Sequence, residues 1–141
     1  MSDALRRVGD QWALRFERRF AHPPERVWRA ITEPEHLGRW YPLTPAELAP
    51  RVGGAIVFEG EDGAPGPRAE ITEFLPSRVF ALREYDEETG THGLRLELEP
   101  DGEGCRMVFT HTFADDTWAA QTETGWIACL DELGRVLDEM G

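Results

Sequence analysis

From Trp12 to Phe20 the chain alternates apolar and polar residues, WALRFERRF, which is the period of a half-buried strand. Trp12, Leu14, Phe16 and Phe20 share one face, and Arg18 falls among them. A buried arginine is costly unless paired. Arg18 is therefore expected near an edge, against a core-facing acid, or as a polar anchor inside a ligand cavity. After His22 the period changes. Pro23 and Pro24 suit the first turn of a short helix that points Val27, Trp28 and Ile31 inward, and Pro34 stops it at Glu33. A second helical piece follows from Glu35 to Trp40. Alternating runs then return as AIVFEG, RAEITEF, VFALREY, HGLRLELE and CRMVFTHTF, with EDGAPGP, Leu75-Pro76-Ser77 and Pro100-Asp101-Gly102 as connections. Connections this short imply an antiparallel meander.

The last stretch, Asp115 to Gly141, carries Trp118, Thr122, Trp126, Cys129, Leu133, Val136 and Met140 at intervals of three or four, one face of a helix. Gln121, Glu123, Asp131, Glu132 and Arg135 form its solvated face, and Asp115 or Asp116 can cap its first turn. At ~1.5 Å per residue its roughly 24 helical residues span about 36 Å, and the apolar stripe needs a broad partner. The elements run β, α, α, then five β, then α. They predict an α+β domain in which a sheet of about six strands grips a terminal helix, over residues 1–141 with its core at about 12–138.

Composition narrows the function. The formal charge is -12, which disfavours nucleic acid and anionic membrane surfaces, because both are bound through clustered Lys and Arg. No apolar run reaches the ~20 residues of a membrane span. The start, MSDALRRVGDQW, has no signal-like apolar stretch, so the reading is cytoplasmic. Cys105 and Cys129 are expected as reduced thiols. All fifteen basic residues are arginine, and the absence of lysine removes Schiff-base chemistry, enzyme-bound pyridoxal phosphate and the phosphate-loop lysine. The serines are Ser2, at a mobile terminus, and Ser77, in a turn, which argues against a serine hydrolase.

A helix across a bent sheet can leave a space with mostly apolar walls. The candidate ligand-binding residues are Trp40, Phe58, Leu96, Met107, Phe109, Trp118 and Trp126, with Arg18, Tyr85, His111 and Thr122 as the polar minority. The alternative is an ordinary filled core. His111, between Phe109 and Phe113, is either a satisfied core histidine or a group that moves a proton near a ligand. A dyad with Cys105 fails, because six residues along a strand is ~20 Å. His22, His36, His92 and His111 are scattered over separate elements, so no metal site and no cofactor are expected.

The segments RRFAHPPERVWRAITEPEHLGRWYP, VGGAIVF, AEITEFLPSRVFAL, MVFTHTF and TGWIACLDELGRVL together resemble bacterial proteins related to the C-terminal domain of the activator of Hsp90 ATPase, within the START-like or Bet v 1-like superfamily. The most specific parts are Pro24 to Trp28, Trp40 with Pro42, Gly53-Gly54, Thr110-His111 and Gly125-Trp126. The resemblance implies a helix-grip fold whose cavity, in relatives, takes lipids, sterols, polyketides or other apolar molecules. It carries over no catalytic position. It leaves three functions open: a binding protein for a small hydrophobic or aromatic molecule, a cyclase or aromatase using His111 or an inward Glu97 or Glu99 as base, and a chaperone ATPase activator. For the last, the N-terminal domain of a full activator has no counterpart here. An exposed sheet edge would also permit a homodimer.

Overall fold

The computed structural model describes residues 4–140. Ser2, read as part of a mobile terminus, and Gly141, the end of the stretch read as containing the terminal helix, lie outside the described residues. One antiparallel sheet of eight strands has the order β1-β2-β8-β7-β6-β5-β4-β3. Its strands are β1 (Leu5–Val8), β2 (Gln11–Phe20), β3 (Pro45–Leu48), β4 (Ala55–Glu59), β5 (Pro65–Leu75), β6 (Val79–Asp86), β7 (Gly90–Asp101) and β8 (Gly104–Phe113). Helices α1 (Pro24–Thr32) and α2 (Pro34–Trp40) connect β2 to β3, and α3 (Ala119–Met140) follows β8. Among the described residues no helix is long and apolar enough to cross a membrane.

The strand count is eight, not six, and both additions are edges. β1, LRRV, is held by β2 through a tight turn at Gly9, and three of its four residues are exposed, so it has no buried face for alternation to reveal. β3, PAEL, is four residues opening on a proline, which an edge strand tolerates because its N–H side faces no partner. β5 also begins earlier than expected. Pro65 pairs with Glu59, so the end of the supposed EDGAPGP loop is strand. Register shifts interrupt β3–β4, β4–β5 and β5–β6, and such bulges bend the strands that carry them.

The concave face collects alternate residues from six strands. Leu14 and Phe16, Ile56 and Phe58, Ile71, Phe80 and Leu82, Leu94, Leu96 and Leu98, and Met107 and Phe109 are all buried, against Val27, Ile31, Leu37 and Trp40 of α1 and α2. The buried stripe of α3 is Ala119, Trp126, Leu130, Leu133, Val136 and Leu137. It shares Trp126, Leu133 and Val136 with the expected face but is rotated toward Leu130 and Leu137, leaving Cys129 and Met140 only partly buried. Asp115 does not cap the helix. Its Oδ1 accepts from the Thr117 amide at 2.9 Å and hydroxyl at 2.6 Å, closing a turn that precedes the first helical residue.

The Gly53-Gly54 pair has a backbone reason. Gly53 sits at φ 81°, and a Cβ on Gly54 would lie 2.2 Å from the Ala49 carbonyl oxygen. Both glycines hydrogen-bond across to Ile71. Gly54→Ala is expected to cost ~1 to 3 kcal/mol by forcing β3 and β4 apart, read as a lower midpoint in urea unfolding.

Candidate functional site

The end of β6, the start of β7, the end of β8 and the first turns of α3 enclose a cleft of about 570 Å³. Leu43, Leu94, Phe113 and Trp126 supply apolar wall, and Trp118 stands at the mouth with 56% of its surface exposed. The β6–β7 hairpin forms the rim. Asp86 Oδ1 accepts from the amides of Glu88 and Thr89, which fixes that three-residue connection.

A chain of hydrogen bonds runs along the floor, and its direction can be derived. The Trp126 indole N–H can only donate, and it donates to His111 Nδ1 at 3.0 Å. Neutral His111 therefore carries its proton on Nε2 and donates to His92 Nδ1 at 2.8 Å. His92 in turn carries its proton on Nε2 and donates to Thr89 Oγ1 at 2.6 Å. Burial, followed by the neighbouring His92, lowers the pKa of His111 to about 3, so the imidazole stays neutral. A proton added at its Nδ1 would also meet the indole N–H.

Glu84 borders the cleft from β6 and is paired with Tyr41, the residue that follows α2. Tyr41 Oη donates to Glu84 Oε1 at 2.6 Å. Burial raises Glu84 above the usual carboxylate range, opposed by the Tyr41 hydrogen bond and by His92. Burial, then Glu84, pushes the Tyr41 phenol well above its ordinary value, so it remains a donor. The Tyr41 ring stacks on Phe58 at 5.6 Å and lies 5.7 Å from Trp126, which ties the pair to the core.

Of the residues expected to form the site, Tyr85, His111, Trp118, Thr122 and Trp126 meet at the cleft. Trp40, Phe58, Leu96 and Phe109 instead border a residual void of about 10 Å³ in the core, roughly the room one water needs. Among the described residues the space between sheet and helix is thus filled at these positions and opens at the end bordered by the β6–β7 hairpin. Met107 is fully buried toward the other end, opposite Arg18 in the β2–β8 register. Arg18 meets neither an inward acid nor the cleft. Its Nη1 donates to the Glu17 carbonyl and its guanidinium lies 5.8 Å from the Phe16 ring centroid. Glu97 and Glu99 do not face inward either, since each is paired with an arginine on the outer face, Arg95 and Arg106 respectively.

His92, Thr89, Glu84 and Tyr41 were missed. For two of them the signal was present. His92 is in phase with Leu94, Leu96 and Leu98, and Glu84 with Phe80 and Leu82, so each belongs to the inward set of its strand. The four histidines are also less scattered than their positions suggest, since β7 and β8 bring His92 and His111 together. Neither ring offers a free lone pair in this arrangement, so the pair holds polar shape rather than acting as a ready base. Burial raises the Cys105 thiol to about 11, away from thiolate chemistry. Among the described residues one group of three metal-type ligands, Glu33, Glu35 and His36, lies at the start of α2, where His36 is 3.3 Å from Glu33.

The architecture is shared with solved proteins. CalU16 from Micromonospora echinospora superposes with a TM-score of 0.79 at 22% identity, over 95% of this chain and 82% of its own. CV1439 from Chromobacterium violaceum gives 0.75 at 24% identity, over 89% and 96%. DynU16, from the dynemicin biosynthetic locus, gives 0.75 at 19% identity, over 89% of this chain and 47% of its own. These likenesses establish the helix-grip fold. No functionally curated protein matches the sequence. Residues 21–138 match the family described as Activator of Hsp90 ATPase homolog 1-like protein, and the chain belongs to that family.

Proposed function

We propose that this protein binds a small, largely aromatic or hydrophobic molecule in the cleft between the β6–β7 hairpin and the start of α3. The observation that carries the reading is the cleft itself: about 570 Å³, walled by Leu94, Phe113 and Trp126, with an exposed Trp118 at its mouth. Its size falls in the range of small-molecule sites, and apolar walls with a few fixed polar groups are their usual composition. The floor supports this role because Trp126, His111, His92 and Thr89 are locked in one hydrogen-bonding direction before any ligand arrives. Membership of a structural group that includes a protein of a biosynthetic locus is consistent with a small-molecule ligand.

Titration with a panel of lipids and aromatic compounds is expected to give saturable quenching of tryptophan fluorescence. Trp118→Ala should weaken binding several-fold while leaving the unfolding midpoint in place, because that side chain is mostly solvated. No saturable ligand across the panel would count decisively against the proposal.

A further inference from the structure

The charge around the cleft narrows the ligand, on the premise that the cleft is a binding site. Four carboxylates border it, Glu84, Asp86, Glu88 and Asp115. None of the fifteen arginines does, although all of them are among the described residues. Arg83, the neighbour of Glu84 in sequence, is engaged by Glu70 on the outer face of the sheet. The histidines have no free donor for an anion, since His111 spends its N–H on His92 and His92 spends its own on Thr89. Asp86 and Asp115 are each held below the usual carboxylate range by hydrogen bonds from their own turns, so they stay ionised near neutrality. A carboxylate or phosphate entering here would meet only like charge, with no partner to offset its lost hydration.

The aromatic groups point the same way. Trp118 and Tyr85 are 56% and 71% exposed, and both line the cleft. Electron-rich ring faces attract cations as well as flat apolar groups. We infer that the cleft selects a cationic aromatic ligand, an arylalkylamine or a ring system bearing an amino group, and rejects carboxylates and phosphates. Glu84 is the natural partner for the ammonium. It is largely enclosed, one of its oxygens is already fixed by Tyr41, and an adjacent positive charge would relieve the penalty that burial places on its ionised form. The net charge of -12 adds a long-range field that draws such ligands in.

The test uses three probes of one shape: naphthalen-2-ylmethanamine, naphthalen-2-ylmethanol and 2-naphthoate, titrated calorimetrically into the full chain at neutral pH. The amine is expected to bind about tenfold more tightly than the alcohol, and 2-naphthoate more weakly than either. Raising the salt to about 0.5 M should remove most of the amine's advantage, because screening acts on the charged ligand alone. Glu84→Gln keeps an acceptor for Tyr41, and Glu88→Gln lies on an exposed hairpin; each should bring the amine closer to the alcohol while leaving the alcohol unchanged. Equal binding of all three probes would overturn the cationic class and leave the cleft as a binding site. Saturable binding by none of them at millimolar concentration would sink the binding reading together with this one.

Discussion

Trp126→Ala is expected to lower the stability of the protein by about 3 to 5 kcal/mol. The indole is 93% removed from solvent, packs edge-on to Phe109 at 4.6 Å, and contacts Tyr41 and His111, so its removal leaves a hole bordered by rings. Trp126→Phe separates the two roles of this side chain. Most of the ring area remains, but His111 Nδ1 loses its only donor and becomes a buried, unpaired acceptor, which costs about 1 to 3 kcal/mol. Urea unfolding of the two variants measures both quantities. Nitrogen chemical shifts of His111 supply the independent check, since the wild-type ring should show a protonated Nε2 and the Phe variant a mixture of tautomers. A Phe variant as stable as wild type, with an unchanged tautomer, would show that the indole N–H does not set the direction of the chain.

The second large effect is a loss of stability on mild acidification. An unfolded histidine takes up a proton near its ordinary value of 6.5, whereas folded His111 does so only at about 3. Between those values the unfolded chain binds more protons, so the contribution of His111 is complete above pH 6.5 and is lost as pH falls, at up to about 1.4 kcal/mol per pH unit. Carboxylates held low by their partners, Glu17, Asp86 and Asp115, also favour the folded state at higher pH, but their losses begin only below ordinary values of 4.5 and 3.8. Glu84 acts with the opposite sign. Its raised pKa means that the folded chain gains its proton first, which offsets part of the fall at the lower end of the range. Between 6.5 and 4.5 the loss from His111 is opposed by Glu84, so the difference between wild type and a His111 variant isolates the histidine. His111→Gln keeps an acceptor for Trp126 and removes the titration, so its stability should be lower at pH 7 but should not fall through that window as the wild type's does. A wild-type profile parallel to the variant's would mean that His111 is protonated in the folded state.

Much of the architecture was legible because it follows from short-range pattern. Alternation in WALRFERRF and CRMVFTHTF, the two proline-led helices and the apolar stripe after Asp115 each depend on which residues share a face, and that is set by the strand and helix periods. The edge strands β1 and β3 escaped because β1 is mostly exposed and β3 is four residues led by a proline, so neither leaves an alternating pattern.

The candidate site was legible only in part, and the reason is similar. His111 and Trp126 stood out as a polar group on an apolar strand and an aromatic group on a helix face, and those properties are local. Their hydrogen bond joins residues from different elements, and Tyr41 reaches Glu84 across 43 positions of sequence. By itself, the order of hydrophobic and polar residues determined six of the eight strands, the helix laid across the sheet, and the set of large side chains available to fill the space between them. Only the tertiary structure decided where those side chains close that space and where they leave a cleft. Whether facing groups meet or leave a gap depends on the bend of the strands and the rotation of α3 about its axis, and neither quantity is written in a one-dimensional pattern.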